Sequence, residues 1–578
     1  MAPLSLLKQH RVFLLLIAFA AVLFLSDIWI YKEFVRAESY FALGSRLMVE
    51  QGAWLTPHAP DELPLNKPPL TYWLIGISYK LFGANYGSAR LPSVLAALAV
   101  LLIVYWLAVR LEGIQAGIIS VALLASSYLF LSFARMAMTD MLLTLCVTAS
   151  LACFIVVLRT HGSGDLKIGA LPDGRATAAG PRCRSFVFLG YVAVALGVLA
   201  KGPVAVALVA IPVGLELAIR RSREDLKRLR LLPGLILFVL IAAPYFFFVY
   251  ARLGAGPLRF FFFAENLQRF TGQIYGISGR PFWYEFGAFF SDFAPWSLLI
   301  FVAIWFDLRG RKLLQSKAPV TRLLYLWLGS TVLLFSLSSF KLDYYLLPSM
   351  PAAALIIGPV FANAEKLPRF VRAILAPFLV LCSVVIVLVA LLSLKAAEVL
   401  SVQGPVRFLP AATAVLGLVV IAIYIARRRT CEAVLILTAT IWATILAIQL
   451  ALLPAFVRYL PATQLAAAVP ADRIVYTSYA ASDWANSLAF NLPPPHMVER
   501  ISRDLNNEKL NNDNLLAVLN NDPRAVAVIW GREYEGLARQ EPALKILGQA
   551  ESYGHGGLSM SLLRHPKRDR LLLIVRAR

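Results

Sequence analysis

The chain has 578 residues, of which 59% are hydrophobic and only 15% are charged, and this balance excludes an ordinary soluble protein. A net charge of +22 would suit a nucleic-acid-binding protein, but the basic residues are grouped in short loops between apolar stretches. This grouping favours a membrane protein and predicts no nucleic-acid partner. The 5 cysteines lie in apolar stretches or basic loops, so no disulfide framework is predicted.

The apolar stretches predict a polytopic α-helical membrane protein with about thirteen transmembrane helices. A helix of about 20 residues crosses the ~30 Å hydrocarbon layer at ~1.5 Å per residue. Placing the basic loops in the cytoplasm puts the N-terminus there as well, and the C-terminal region on the outer side. The predicted spans are residues 12–31, 91–109, 114–131, 141–158, 186–200, 203–219, 232–252, 286–305, 323–339, 346–362, 373–394, 409–426 and 433–453.

Polar side chains gather in the outer loops of this topology, several of them at the ends of spans. Charged groups at membrane depth are costly, and they usually face a bundle interior or an aqueous cavity. The alternative is that a lysine or arginine near a span end only reaches toward lipid headgroups. Acids and bases occurring together favour a functional site, and we expect Glu38 and Asp140 to face the cations and Tyr345 across one cavity. The candidates are Glu38, Lys67, Asp140, Lys201, Glu265, Arg269, Lys341, Asp343 and Tyr345.

The C-terminal region differs in composition from the rest. Residues 473–477, 525–530 and 571–575 are short β-rich runs, with helical patterns between them. We therefore predict two domains: a transmembrane domain over residues 1–455, with an outer loop at 32–90, and a soluble α/β domain over residues 456–578. No phosphate-binding loop or nucleophile elbow is present in this region, which predicts a covering or interaction role.

The first outer loop has the most informative motifs. Glu38 begins a helical pattern, where the helix dipole favours a carboxylate. Lys67 precedes Pro68 and Pro69, so it is a restrained cation at the start of another helix. The alternative interpretation is that these charges only stabilise helix ends.

In its motifs and their order, the chain resembles the GT-C glycosyltransferases, specifically the protein O-mannosyltransferase-like branch that includes the lipid A aminoarabinose transferases. The resemblance covers about residues 10–360. It rests on Glu38-Ser-Tyr-Phe-Ala42, Gly52-Ala-Trp54-Leu-Thr-Pro57, Lys67-Pro-Pro-Leu-Thr-Tyr72-Trp73, Thr139-Asp140, Lys201-Gly202-Pro203, Glu265-Asn266-Leu-Gln-Arg269 and Lys341-Leu-Asp343-Tyr344-Tyr345-Leu-Leu-Pro348.

The resemblance implies an inverting transfer of a sugar from a polyprenyl (undecaprenyl) phosphate to an acceptor outside the cytoplasm, in a bacterial inner membrane. The implied acceptor is lipid A, lipopolysaccharide or another envelope glycan, and membrane lipids are further partners. Developing charge on the lipid phosphate needs fixed cations, and the acceptor hydroxyl needs a base. The implied roles are catalytic for Glu38 and Asp140, phosphate-binding for Lys67, Arg269, Lys341 and Tyr345, and supporting for Lys201, Glu265 and Asp343.

Three positions depart from the family pattern. Ala37 stands where an acid often precedes Glu38, so Glu38 acts alone or Asp140 takes a larger share. Asn66 and Asn266 stand where the aminoarabinose branch commonly has Glu and His, which argues against a metal site and against aminoarabinose as the donor sugar. No cofactor or metal ligand is assigned, and participation of a divalent cation stays open.

Two other functions compete with this interpretation. A flippase or transporter of a lipid-linked sugar would also need many spans and charged span ends, but the internal repeats common in transporters are absent from the sequence. A protein O-glycosyltransferase would use the same donor chemistry, but the large inserts of the eukaryotic type are missing. A purely structural assembly protein leaves Asp140 and the Lys67 loop unexplained.

Overall fold

The protein is described from a computed structural model. The structure describes residues 3–34, 36–57, 65–159, 181–272, 279–309, 319–362, 368–478, 481, 485–493, 498–500, 508–552 and 569–577. Residues 160–180 and 310–318, which include basic residues of two of the loops placed in the cytoplasm, lie outside the described residues.

Helices dominate the membrane region. In chain order, the first twelve α-helices are α1 Pro3–Leu25, α2 Arg36–Gln51, α3 Leu70–Phe82, α4 Tyr86–Glu112, α5 Ile114–Ser126, α6 Tyr128–Phe133, α7 Thr139–Arg159, α8 Pro181–Lys201, α9 Val204–Arg220, α10 Arg223–Arg228, α11 Leu231–Leu253 and α12 Ala255–Arg259. A π-helix at Phe260–Gln268 follows, then α13 Arg269–Thr271, α14 Tyr284–Asp292, α15 Leu299–Arg309, α16 Pro319–Leu337, α17 Met350–Ala362, α18 Arg369–Val399, α19 Leu409–Ala426 and α20 Thr430–Phe456.

Within the described residues, 8 helices are long and apolar enough to cross a membrane. They cover Tyr86–Glu112, Thr139–Leu158, Arg184–Lys201, Arg223–Leu253, Val320–Leu337, Val371–Val399, Pro405–Ala426 and Thr430–Ala468. Shorter apolar helices lie at His10–Leu25, Ile114–Ser126 and Leu347–Ala362, all inside or overlapping predicted spans. The predicted multi-span α-helical class is confirmed, whereas the count of about thirteen stays a prediction.

The predicted span 286–305 is wrong as a continuous helix, because the structure divides it into α14 and α15. Pro295 lies in the break, and a proline removes a backbone donor and disfavours helical geometry in the residue before it. Trp296 is buried in this break and donates a hydrogen bond from Nε1 to Ser126 Oγ at 2.9 Å. The chain therefore turns here toward α5.

The C-terminal region forms a small α/β unit, as the sequence predicts. Its parts are α21 Pro461–Ala468, β1 Ile474–Thr477, α22 Ala485–Asn491, β2 Val498–Arg500, α23 Glu508–Asn521, β3 Ala525–Trp530, α24 Gly531–Gln540, β4 Leu544–Ser552 and β5 Asp569–Arg576. The sheet has the order β2-β1-β3-β5-β4, with β1 parallel to β2 and β3, and β5 antiparallel to β3 and β4.

This α/β unit packs on the first outer loop. Leu43 of α2 belongs to the same buried cluster as the sheet residues Val475 and Val528. Ser487 of α22 donates a hydrogen bond to the Phe34 carbonyl at 3.1 Å, and Tyr86 of α4 donates to the Asn491 side chain at 3.0 Å. The unit therefore covers α2 and the start of α4, and it holds the outer loop in place.

Candidate active site

A cavity of about 590 Å³ opens among the ends of several helices. It brings together residues that the sequence places far apart. The polar residues of its lining are Lys67, Asp140, Lys201, Glu265, Asn266, Arg269, Ser338 and Tyr345. The apolar residues of its lining include Leu143, Val204, Phe261, Phe262, Phe263, Phe270, Leu334, Phe335 and Phe340. Charged groups therefore share one cavity with a long apolar wall.

Two cations of the cavity meet at one carboxylate oxygen. Lys67 Nζ and Arg269 Nη1 each lie 3.0 Å from Glu265 Oε2. Lys67 is held just before α3, where it also donates to the carbonyl and side-chain oxygens of Asn66 at 3.1 Å. Arg269 follows the π-helix, and its guanidinium lies 4.1 Å from the centre of the Phe340 ring, a cation–π contact. The sequence motifs predicted these charges, and the structure joins them across 198 residues.

A second ion pair lies on another wall of the cavity. Asp140 is in the first turn of α7, where the helix dipole favours its negative charge, and it pairs with Lys201 at the end of α8. Lys201 Nζ also lies 5.4 Å from the ring centres of Tyr344 and Tyr345. Gly202, with φ of 103°, ends α8 abruptly, so that Lys201 reaches the cavity and α9 can start at once.

Tyr345 contributes a neutral hydrogen-bond donor to this cavity. Burial raises the pKa of its phenol to about 12, because the lowering effect of the Arg269 charge is smaller than the effect of desolvation. The hydroxyl therefore stays protonated at neutral pH. A protonated phenol can donate to a phosphate or sugar oxygen.

Glu38 was expected to share the cavity with Asp140, and this expectation needs correction. Glu38 lies outside the cavity lining, buried at 1% exposure, and accepts bonds from Arg90 Nε at 3.0 Å and Arg90 Nη2 at 3.2 Å. Its Oε1 also accepts a bond from the Ala137 backbone N–H at 2.8 Å. Glu38 thus contacts the loop that leads into Asp140, because helix packing turns its side chain toward α4 and not toward the cavity.

Lys341 and Asp343 also lie outside the cavity lining. Lys341 is buried and donates to the Ser338 carbonyl. Asp343 is exposed and pairs with Arg280 and the Tyr284 hydroxyl. Partial burial raises the pKa of Asp343, but the hydrogen bonds from Tyr284 and Arg280 outweigh burial and hold the pKa below its usual value. Lys341 is therefore held by the backbone of its own loop, and Asp343 by the side chains of Arg280 and Tyr284.

Glu285 is a candidate that the sequence interpretation missed. It is fully buried near the start of α14, and neither carboxylate oxygen has a hydrogen-bond partner among the described residues. Burial raises the pKa of Glu285 from 4.5 to about 7, although the Lys341 charge opposes this shift. The sequence contained one indication of this candidate. Glu285 directly follows Pro281-Phe-Trp-Tyr and lies at the edge of an apolar stretch, where a charged residue is costly.

Metal ligands do not cluster in the part of the chain that the structure describes, where no group of three or more His, Cys, Asp or Glu could hold an ion. Asn266, beside Glu265 in the cavity, donates from its side chain to the Phe261 carbonyl at 2.6 Å. An asparagine amide used in this way holds the π-helix in shape.

Solved structures of known proteins share this architecture. The crystal structure of ArnT from Cupriavidus metallidurans bound to undecaprenyl phosphate aligns with a TM-score of 0.71 at 21% identity, over 97% of this chain and 98% of that chain. The chain has the fold of ArnT. It is a multi-span membrane protein with this fold, and the resemblance to GT-C glycosyltransferases is confirmed at the level of the fold. The apo form of the same ArnT aligns equally well, also at a TM-score of 0.71.

Sequence comparisons agree with this ArnT-like fold. A family model described as dolichyl-phosphate-mannose-protein mannosyltransferase matches residues 66–171, which include Lys67 and Asp140. Undecaprenyl phosphate-alpha-4-amino-4-deoxy-L-arabinose arabinosyl transferases from Pectobacterium carotovorum and Pseudomonas aeruginosa are each 30% identical, over 61% and 62% of this chain. An uncharacterized protein of Aquifex aeolicus is 27% identical over 359 residues. The matches span 58–65% of the length of these relatives.

Proposed function

We propose that the protein transfers a sugar from undecaprenyl phosphate to lipid A or a related envelope glycan. The supporting observation is the cavity itself, in which Lys67, Arg269 and Tyr345 lie in one lining with Asp140 and an apolar wall. A lipid-phosphate donor needs cations for its phosphate, an apolar surface for its chain and a carboxylate near its sugar. The names of the arabinosyl transferase relatives support the same donor class.

The donor phosphate is assigned to Lys67, Arg269 and Tyr345. Arg269 presents a guanidinium, which can hold two phosphate oxygens at once, and Lys67 adds a point charge. The leaving lipid phosphate gains negative charge as its bond to the sugar breaks, so fixed cations stabilise the transition state more than the ground state. The Tyr345 hydroxyl would donate one further hydrogen bond to a phosphate or sugar oxygen.

Asp140 is assigned as the carboxylate that faces the sugar and acceptor. In the proposed step, the acceptor hydroxyl oxygen bonds to the anomeric carbon while the bond from that carbon to the phosphate oxygen breaks. The hydroxyl proton passes to Asp140, and the lipid phosphate leaves with the electron pair. Attack opposite the leaving group inverts the anomeric configuration. Lys201 holds the Asp140 carboxylate, and Glu38 is assigned a positioning role through the Ala137 backbone.

The apolar part of the cavity is assigned to the prenyl chain. Phe261, Phe262 and Phe263 lie on one wall, and Leu334 and Phe335 of α16 on another. α16 is one of the candidate membrane-crossing helices, so this wall extends toward hydrocarbon. A prenyl chain bound there would leave its phosphate at the cations.

The protein is placed in a bacterial inner membrane, with the N-terminus in the cytoplasm and the α/β unit outside. The basic clusters at 220–230 and 427–429 support this orientation, since short cytoplasmic loops are enriched in Lys and Arg. With that orientation the cavity and the α/β unit lie on the same side. Sugar transfer would then occur at the outer surface of the membrane.

The decisive experiment is transfer by the purified protein in detergent. The protein is mixed with undecaprenyl phosphate linked to aminoarabinose, or in parallel to a hexose, and with lipid A, and products are identified by mass spectrometry. Glycosylated lipid A is the expected product. Because detergent removes the two compartments that a transporter needs, absence of product with every donor would favour a flippase. Mass spectrometry of envelope lipids, glycans and proteins with and without the gene would then identify the sugar and acceptor, including a protein acceptor.

A further inference from the structure

Glu265 places a single carboxylate oxygen between the two cations assigned to the donor phosphate. We propose that Glu265 is a built-in competitor for phosphate, which weakens binding of the undecaprenyl phosphate product and speeds its release. This inference rests on the proposed function, because it concerns the product of that reaction. It assigns Glu265 a function in turnover that goes beyond support of neighbouring side chains.

One oxygen of the Glu265 carboxylate lies between the two cations to which the donor phosphate is assigned. Lys67 Nζ and Arg269 Nη1 are each 3.0 Å from the same atom, Glu265 Oε2. The Glu265 side chain is 4% exposed, while those of Lys67 and Arg269 are 22% and 23% exposed. All three residues line the cavity, and the two cations are more exposed than the carboxylate. A phosphate oxygen that binds both cations would have to share or replace these bonds.

The cations do not depend on Glu265 alone for their positions. Lys67 also bonds to the carbonyl and side-chain oxygens of Asn66, both at 3.1 Å. Arg269 stacks on Phe340, with its guanidinium 4.1 Å from the ring centre. Loss of the Glu265 charge should therefore leave both cations near the cavity, with their charge now available to a ligand.

The backbone at Glu265 also differs from an ordinary helix. Glu265 lies within the π-helix Phe260–Gln268, a conformation that is rare and often found at functional sites. The Asn266 side chain stabilises this segment by donating to the Phe261 carbonyl at 2.6 Å. Glu265 and Arg269, four residues apart, contact each other in the cavity lining.

Donor and product differ in the charge that Glu265 opposes. The donor phosphate is a diester with one negative charge, whereas the product is a monoester that carries about 1.5 to 2 negative charges at neutral pH. Two bare cations would therefore hold the product more tightly than the donor, and turnover would stop at product release. The Glu265 carboxylate cancels part of the cationic charge and repels the second phosphate charge. It thus penalises the product more than the donor.

The test compares wild type with Glu265→Gln, which keeps the size of the side chain and removes its charge. Binding of undecaprenyl phosphate to the purified protein is measured directly, together with steady-state and pre-steady-state transfer. We expect the variant to bind undecaprenyl phosphate about tenfold more tightly, with lower kcat and a burst of product in the first turnover. Glu50→Gln is the matched control, because Glu50 forms a similar i,i+4 pair with Arg46, at 2.7 Å, outside the cavity.

Whether Glu265→Gln binds undecaprenyl phosphate more tightly or more weakly than wild type decides between competition with phosphate and simple orientation of the cations. If Glu265 serves only to orient the two cations, Glu265→Gln will bind undecaprenyl phosphate more weakly, and weaker or unchanged binding overturns the proposal. Lys67→Ala should weaken binding both alone and combined with Glu265→Gln, which checks that the phosphate occupies this site. Direct binding needs no turnover, so tighter binding without any transfer activity would refute the proposed function while supporting the competitor role.

Discussion

The buried ion pair between Arg90 and Glu38 predicts a specific pattern of stability changes. Arg90 is 3% exposed, and it donates to Glu38 as well as to the carbonyls of Ile28, Tyr31 and Glu33 at 3.3, 2.8 and 2.5 Å. Arg90→Met would leave the Glu38 charge buried without this cation. Arg90→Met combined with Glu38→Gln would remove that charge and keep an acceptor for the Ala137 N–H.

The free energy of unfolding should differ between Arg90→Met and the double variant by a predictable amount. Removing one partner of a buried ion pair costs about 3–5 kcal/mol, because the remaining charge is uncompensated. The three carbonyls that lose Arg90 add about 1 kcal/mol each in both variants. The double variant is therefore destabilised mainly by the carbonyl cost of about 3 kcal/mol, and we expect it to be about 3–5 kcal/mol more stable than Arg90→Met.

Thermal unfolding in detergent can test this order. A thiol-reactive dye will report unfolding, because Cys146 and Cys382 are buried in the folded protein. Wild type should unfold at the highest temperature, the double variant several degrees lower and Arg90→Met lowest. Arg429→Met, which removes the exposed surface pair with Glu432, should change the midpoint little. A double variant that unfolds at or below the temperature of Arg90→Met would refute the uncompensated-charge argument.

Three further predictions concern the cavity and its surroundings. Asp140→Asn should lower kcat about 10²–10⁴-fold with little change in donor KM, measured by product formation; a wild-type rate would exclude its role as base. Folding raises the pKa of Glu285 from 4.5 to about 7, so its contribution to stability is complete below pH 4.5 and is lost as pH rises through about 7. Glu285→Gln should therefore flatten the fall in unfolding temperature over this pH range, and an unchanged profile would contradict the shift. Gly202→Ala should destabilise the protein by about 1–3 kcal/mol, because φ is 103° and a Cβ would lie 2.6 Å from Phe261 Cζ. Gly256→Ala, where a Cβ would meet nothing within 4 Å, is its control, and equal unfolding temperatures for the two would contradict the strain.

Much of the candidate site follows from local sequence. Helical pattern and motif order placed Lys67 before α3, Asp140 at the start of α7 and Arg269 next to Glu265. Apolar length predicted the membrane class, and period-2 runs predicted the strands of the α/β unit. These inferences depend on neighbours within a few residues, and such neighbours are visible in a single chain.

What the tertiary structure decided is which charges face one another. Lys67 and Glu265 are 198 residues apart, and Glu38 and Arg90 are 52 apart, so their pairing depends on how helices pack and not on any local pattern. Glu38 was predicted in the cavity, yet α2 turns its carboxylate to Arg90 of α4. Composition, periodicity and motif order thus determined a membrane protein with its polar groups near one side. Helix packing alone decided that Glu265 joins two cations, because long-range electrostatic partners are chosen by three-dimensional contact.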